Sequence, residues 1–216
     1  MFMKTLLPFA LCCVLFSFSC GSETDKPSGT ADTMSAKDSL KKKLTEDLPP
    51  STGIEQFEWI YSSFVAAAIT DARRFNVFIH PDDGLWIIRS TGAMPEMVNV
   101  KNILRVKANN GDSLIPMNRD KMYCTPVQEQ LPKPDCETKT FWSRNGCFTS
   151  EANTFSNEKI WDAAGLTESD SKKVEELAGR ITRVVINTEM NMRFYFTEVN
   201  GTWYLTFLDM RVPCSA

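Results

Sequence analysis

His80, the single histidine, stands beside Asp82 and Asp83 in a His-Pro-Asp-Asp-Gly segment, where an imidazole and carboxylates come together in sequence. Such a trio offers a general base or metal ligands. A metal site, however, gathers ligands from separate elements, whereas these three crowd an Asp-Gly turn whose carboxylates are natural turn formers. A turn is therefore the expectation, and neither a metal nor a cofactor is expected. Asp209, ending an aromatic segment, is the second candidate base. Trp86, Trp142, Trp161, Trp203 and Tyr195 could line an apolar or sugar-stacking pocket, although aromatics alternating along strands are more often core. The chain carries no Gly-rich phosphate loop, Gly-x-Ser-x-Gly elbow or paired-carboxylate glycosidase pattern.

The elements that must position these residues belong to a chain of 216 residues, 43% apolar and 24% charged, the composition of one globular domain. A net charge of −3 gives no electrostatic reason to bind a nucleic-acid backbone, so nucleic acid is not an expected partner.

Lys4, an apolar run from Leu6 to Phe18 and the small residues Ser17 and Ser19 have the order of a secretion signal over residues 1–19. The run is shorter than a membrane span requires. The run followed by Ser19-Cys20 resembles the lipobox of bacterial lipoproteins, with Phe18 and Ser17 departing from its usual small residue and leucine. Cleavage after Ser19 leaves Cys20, Cys124, Cys136, Cys147 and Cys214. An odd thiol in an oxidising compartment needs an explanation, and acylation of Cys20 supplies it. Glu23 and Asp25 resemble the export signal of surface lipoproteins in gut-type Gram-negative anaerobes, which implies an outer-membrane lipid anchor, periplasmic or surface-exposed. The remaining four cysteines suit disulfides. Of three connectivities, the expected turn at Arg144-Asn145-Gly146 favours Cys136 with Cys147, leaving Cys124 for Cys214.

Residues 20–52 are rich in Ser, Thr, Lys, Asp and Pro and hold no aromatic residue, the composition of a flexible tether. Ala36, Leu40, Leu44 and Leu48 allow a short helix ahead of Pro49-Pro50. The Lys41-Lys42-Lys43 run reads as solvated linker rather than a headgroup contact. Asp32-Thr33-Met34 and Asp38-Ser39-Leu40 resemble the short O-glycosylation motif of the same bacteria.

Residues 53–216 read as one α+β domain. Thr52 and Glu55 form a capping-box pattern ahead of Ile54, Phe57, Tyr61, Phe64, Val65, Ala68 and Ile69, which predicts a helix over Gly53–Thr70. Arg73–Ile79 is ambiguous, Leu85–Arg89 and Asn102–Lys107 are expected strands, and Asn109–Asp112 is a turn. Helices are expected near Asn157–Ala164, and near Glu168–Ala178 after Thr167. Arg180–Thr188 is a β-branched run. Asn200-Gly201 between aromatic-rich segments signals a hairpin, whose two-residue turn would pair Phe196 with Leu205, Phe194 with Phe207 and Tyr195 with Thr206. The expected fold is a long N-terminal helix packed on a twisted antiparallel sheet.

That helix, the Phe78–Gly84 segment and the Phe194–Thr206 hairpin together resemble uncharacterised envelope lipoproteins of gut bacteria, some of them similar to the NTF2-like, cystatin-like cone. The resemblance implies a fold and a location but no chemistry. The functional expectation is a non-catalytic domain that binds a small ligand, a glycan or a protein. The alternatives are an NTF2-like pocket enzyme using His80 or Asp209, and a structural surface-interaction module.

Overall fold

A computed structural model describes residues 53–214 apart from 91, 93, 109, 139 and 140. The signal segment, Cys20, the tether and Thr52 of the expected capping box lie outside the described residues. Helix α1, Ile54–Ala68, starts at Gly53, whose φ is +57°, with no side-chain hydrogen bond capping it. It stops short of Thr70 because Asp71 turns the chain and caps helix α2, Ala72–Phe75, accepting the Arg73 backbone N–H at 2.7 Å. A 3-10 turn, Asn76–Phe78, completes the ambiguous segment as helical.

Strand β1, Leu85–Ser90, follows the His80 turn, and β2, Pro95–Val100, which the sequence reading missed, pairs antiparallel to it. Gly84 joins turn to strand at φ +75°, where a Cβ would stand 2.7 Å from the Asn99 carboxamide oxygen, so this position requires glycine. The strand expected at Asn102–Lys107 is instead a 3-10 turn, Ile103–Arg105, because the Asn102 side chain accepts the Leu104 backbone N–H. Lys107 and Ser113 bridge around the turn that follows.

Helix α3 (Arg119–Met122) and the short β3 (Val127–Gln128) lead to β4 (Cys147–Ser150), α4 (Phe155–Glu158) and α5 (Glu168–Gly179). Thr167 caps α5 by accepting the Asp170 backbone N–H. Strands β5 (Arg183–Asn187), β6 (Met192–Val199) and β7 (Thr202–Asp209) complete a seven-stranded sheet of order β2-β1-β7-β6-β5-β4-β3. The sheet is mostly antiparallel, but β1 runs parallel to β7 and β3 parallel to β4. The architecture is therefore α+β with a mixed sheet.

Both sheet faces are covered. On one, Phe57, Tyr61, Phe64 and Val65 of α1 bury against Val185, Phe194, Phe196 and Leu205. On the other, Phe155, Trp161, Val174 and Leu177 bury against Trp86, Val184, Tyr195 and Phe207. Strand β5 is buried at every position because alternate residues serve opposite cores.

Asn200 and Gly201 both have positive φ, as a tight hairpin turn requires, and the pairing of Phe196 with Leu205 holds. Beyond it the expected register fails. A bulge leaves Thr206 without a partner in the ladder, so Tyr195 faces Phe207, Phe194 faces Leu208 and Arg193 faces Asp209. The Thr206 and Thr197 hydroxyls hydrogen-bond at 2.7 Å beside it. In a regular ladder, with Thr206 paired to Tyr195, Phe207 and Asp209 would point toward α1. The bulge turns both to the opposite face.

The disulfides correct the expected pairing. Cys124 joins Cys147 and Cys136 joins Cys214, with Cα–Cα distances of 5.9 and 5.5 Å. Cys147 lies under α1, its sulfur 3.7 Å from the Tyr61 hydroxyl, and parallel pairing of β3 with β4 brings the Cys124 segment alongside it. Cys136 instead sits in a loop folded back on itself by a Pro134–Trp142 bridge, toward the C-terminal end of the chain. Non-reducing peptide mapping should recover Cys124–Cys147 and Cys136–Cys214 peptides; a Cys136–Cys147 peptide would refute this arrangement.

Candidate functional site

The bulge places the centre of the site. Asp209 is wholly buried, and four donors converge on its carboxylate. Oδ1 accepts the Arg211 backbone N–H at 3.0 Å and Arg211 Nε at 2.9 Å; Oδ2 accepts Arg193 Nη1 at 2.6 Å and Arg211 Nη2 at 2.7 Å. These bonds occupy the lone pairs a general base would use. Glu158 adds a 3.2 Å contact to Arg211 Nη2 from the end of α4. Burial pulls the Arg211 guanidinium down, but hydrogen bonds and charge from Asp209, with Glu158 behind it, more than offset this and hold it raised. Arg193 is held a second way: its guanidinium lies 4.9 Å from the Trp142 ring centroid, while the indole N–H donates to Asn191 at 2.8 Å.

Arg193, Arg211, Glu158 and Trp142 border a cavity of about 650 Å³ on the sheet face opposite α1, and Asp209 holds the two arginines without lining it. Its floor includes Val184, Ile186 and Tyr195, one wall is the Gln130–Pro134 loop with Trp142, and the facing wall is the C-terminal segment Arg211–Cys214. The Cys136–Cys214 disulfide ties these walls together. Arg193 and Arg211 both line the cavity, and neither has a nitrogen among the wholly buried unpartnered atoms, so the N–H groups that Asp209 and Glu158 leave unused are open to the cavity or to solvent. The Tyr195 hydroxyl makes no hydrogen bond among the described residues. Burial, then the nearby Asp209 charge, pushes its pKa well up, which keeps it a neutral donor.

The space between α1 and the sheet is filled by rings: Phe64 lies 5.3 Å from both Phe194 and Phe196, and Phe57 lies 5.1 Å from Trp203. Trp203 thus belongs to the first core and Trp86 to the second; each has a buried indole N–H without a partner among the described residues.

His80 does not border the cavity. Its Nδ1 accepts the Asp83 backbone N–H at 3.0 Å, its ring meets Tyr204 edge-to-face at 4.7 Å, and Gly84 donates to its carbonyl. Asp83 lies 3.6 Å from Lys173 and 3.8 Å from Arg180, which fastens α5 to the turn. Asp82 is exposed, and its backbone carbonyl accepts Lys101 and Lys173.

Of the sequence candidates, the structure thus brings together Tyr195, Asp209 and Trp142. Sequence reasoning missed Arg193, Arg211 and Glu158. Two signals were present: Arg193 interrupts an aromatic strand at a position alternating with Tyr195, and Asp209-Met210-Arg211 sets opposite charges two residues apart. Among the described residues no group of three His, Cys, Asp or Glu could hold a metal ion, and no helix is long and apolar enough to cross a membrane. Comparisons with protein-family models, curated proteins and solved structures give no match.

Proposed function

We propose that the chain is a cell-envelope lipoprotein, anchored in the outer membrane through acylated Cys20, whose domain binds a small ligand without transforming it. The observation that carries the binding reading is the cavity at Arg193 and Arg211. Its volume lies in the range of small-molecule sites, and its few polar groups are held in place before any ligand arrives. Engagement of every Asp209 lone pair supports binding over base catalysis. The signal segment, the Ser19-Cys20 junction and the odd count of mature cysteines support the anchor. An NTF2-like relationship belongs to the same proposal; a helix followed by a closing hairpin that packs on it supports this, while the helices on the second sheet face depart from the cone.

Native mass spectrometry of the membrane-extracted protein tests both parts. The expected result is residues 20–216 plus lipid, together with a further noncovalent mass released on denaturation. A lipid-free chain with a Cys20 thiol would overturn the anchor, and a protein that carries no such mass and shifts its melting temperature with no compound of a metabolite panel would overturn the binding reading.

A further inference from the structure

We infer that the ligand of this cavity is a carboxylate on an apolar body, not a neutral molecule and not a sugar acid. The inference rests on the binding reading above and specifies its chemistry. Among the polar side chains that line the cavity, beside neutral Ser, Thr and Gln groups, Arg193, Arg211 and Tyr195 carry donors that no hydrogen bond among the described residues engages, and Glu158 is the one carboxylate. A planar carboxylate accepts from such a set in two directions, and guanidinium geometry matches it. The cations Lys133, Arg193 and Arg211 outnumber the carboxylates Asp209 and Glu158 around the cavity, which favours a single negative charge. Because Asp209 and Trp142 already immobilise Arg193, and Asp209 with Glu158 immobilises Arg211, little side-chain entropy remains to be lost on binding.

The apolar body follows from the other walls. Leu131, Val184, Ile186 and Val212 present aliphatic surface. Trp142, the indole that could have stacked a sugar ring, is 2% exposed and carries the Arg193 guanidinium on its face, so no free aromatic platform of its own remains for a saccharide. Glu158 competes with the ligand for Arg211, which makes it a negative determinant of affinity.

Calorimetric titration of the chain 20–216, carrying Cys20→Ser so that no detergent is needed, would use octanoate, octan-1-ol and glucuronate as probes. Octanoate should bind at least about tenfold more tightly than octan-1-ol, as expected for charge-assisted hydrogen bonds, and glucuronate more weakly than octanoate. Tyr195→Phe should weaken octanoate about threefold to tenfold and octan-1-ol by less, the neutral hydrogen bond being the weaker; Glu158→Gln should tighten octanoate. Equal binding of octanoate and octan-1-ol would overturn carboxylate recognition while leaving an apolar binding cavity. Glucuronate binding in preference to octanoate would overturn the apolar body. If no probe binds, the inference fails; the binding reading fails with it only if the native mass and the metabolite panel are also blank.

Discussion

Asp209→Asn is expected to lower the unfolding free energy by about 3–5 kcal/mol, the usual consequence of removing one partner from a buried ion pair. The carboxylate is 0% exposed and neutralises two guanidiniums, whose side chains are only 12% and 21% exposed. An asparagine fills the same volume but carries no charge, and its NH2 would face donors where the carboxylate offers an acceptor. Two cations would then share a pocket with Glu158 as their nearest remaining anion. Partial access of solvent to both arginines sets the effect toward the lower end of the range. Against a typical domain stability of about 5–15 kcal/mol this is a large share. Urea denaturation should show a lower midpoint with an unchanged slope. A loss below about 1 kcal/mol would mean that the guanidiniums do not depend on Asp209, and the case for a preorganised cavity would go with it.

How much of this was legible before the structure depended on the range of the interaction. The α1 stripe, the Thr167 cap and the Asn200-Gly201 turn are local devices, and the sequence displays them because their partners lie within a few residues. Strand β2 was missed because its six residues, Pro95–Val100, open with proline and pair only on one side, so neither alternation nor a β-branched run marks them. The disulfide pairing is not legible because proximity along the chain, which favours Cys136 with Cys147, is not proximity in space: parallel pairing of β3 with β4 and the folded-back Cys136 loop decide the matter. The site itself was invisible for a sharper reason. A regular ladder running back from Asn200-Gly201 puts Asp209 on the α1 face, and only the residue inserted at Thr206 brings it opposite Arg193. Nothing in the composition of Leu205-Thr206-Phe207 marks that insertion.

Phe64→Ala tests the opposite face of the sheet, and a loss of about 3–5 kcal/mol is expected. Phe64 is fully buried with five rings around it: Tyr61, Phe75, Phe78, Phe194 and Phe196 have centroids between 5.3 and 5.9 Å away. These neighbours come from α1, the segment after it and β6, so they cannot all move in to fill the void, and the cost should fall in the upper half of that range. Phe64→Leu, which keeps most of the volume, should cost less than half as much by the same denaturation measurement. Phe64 belongs to the core on the α1 face, which shares no residue with the cavity lining on the other face of the sheet. Octanoate should therefore bind the folded Phe64→Leu variant as it binds the parent chain, whereas Asp209→Asn should weaken stability and binding together. If Phe64→Leu disturbed octanoate binding as strongly as Asp209→Asn does, the two faces would be coupled through the shared strand β6, and the cavity could not be treated as a site fixed by its own ion pairs.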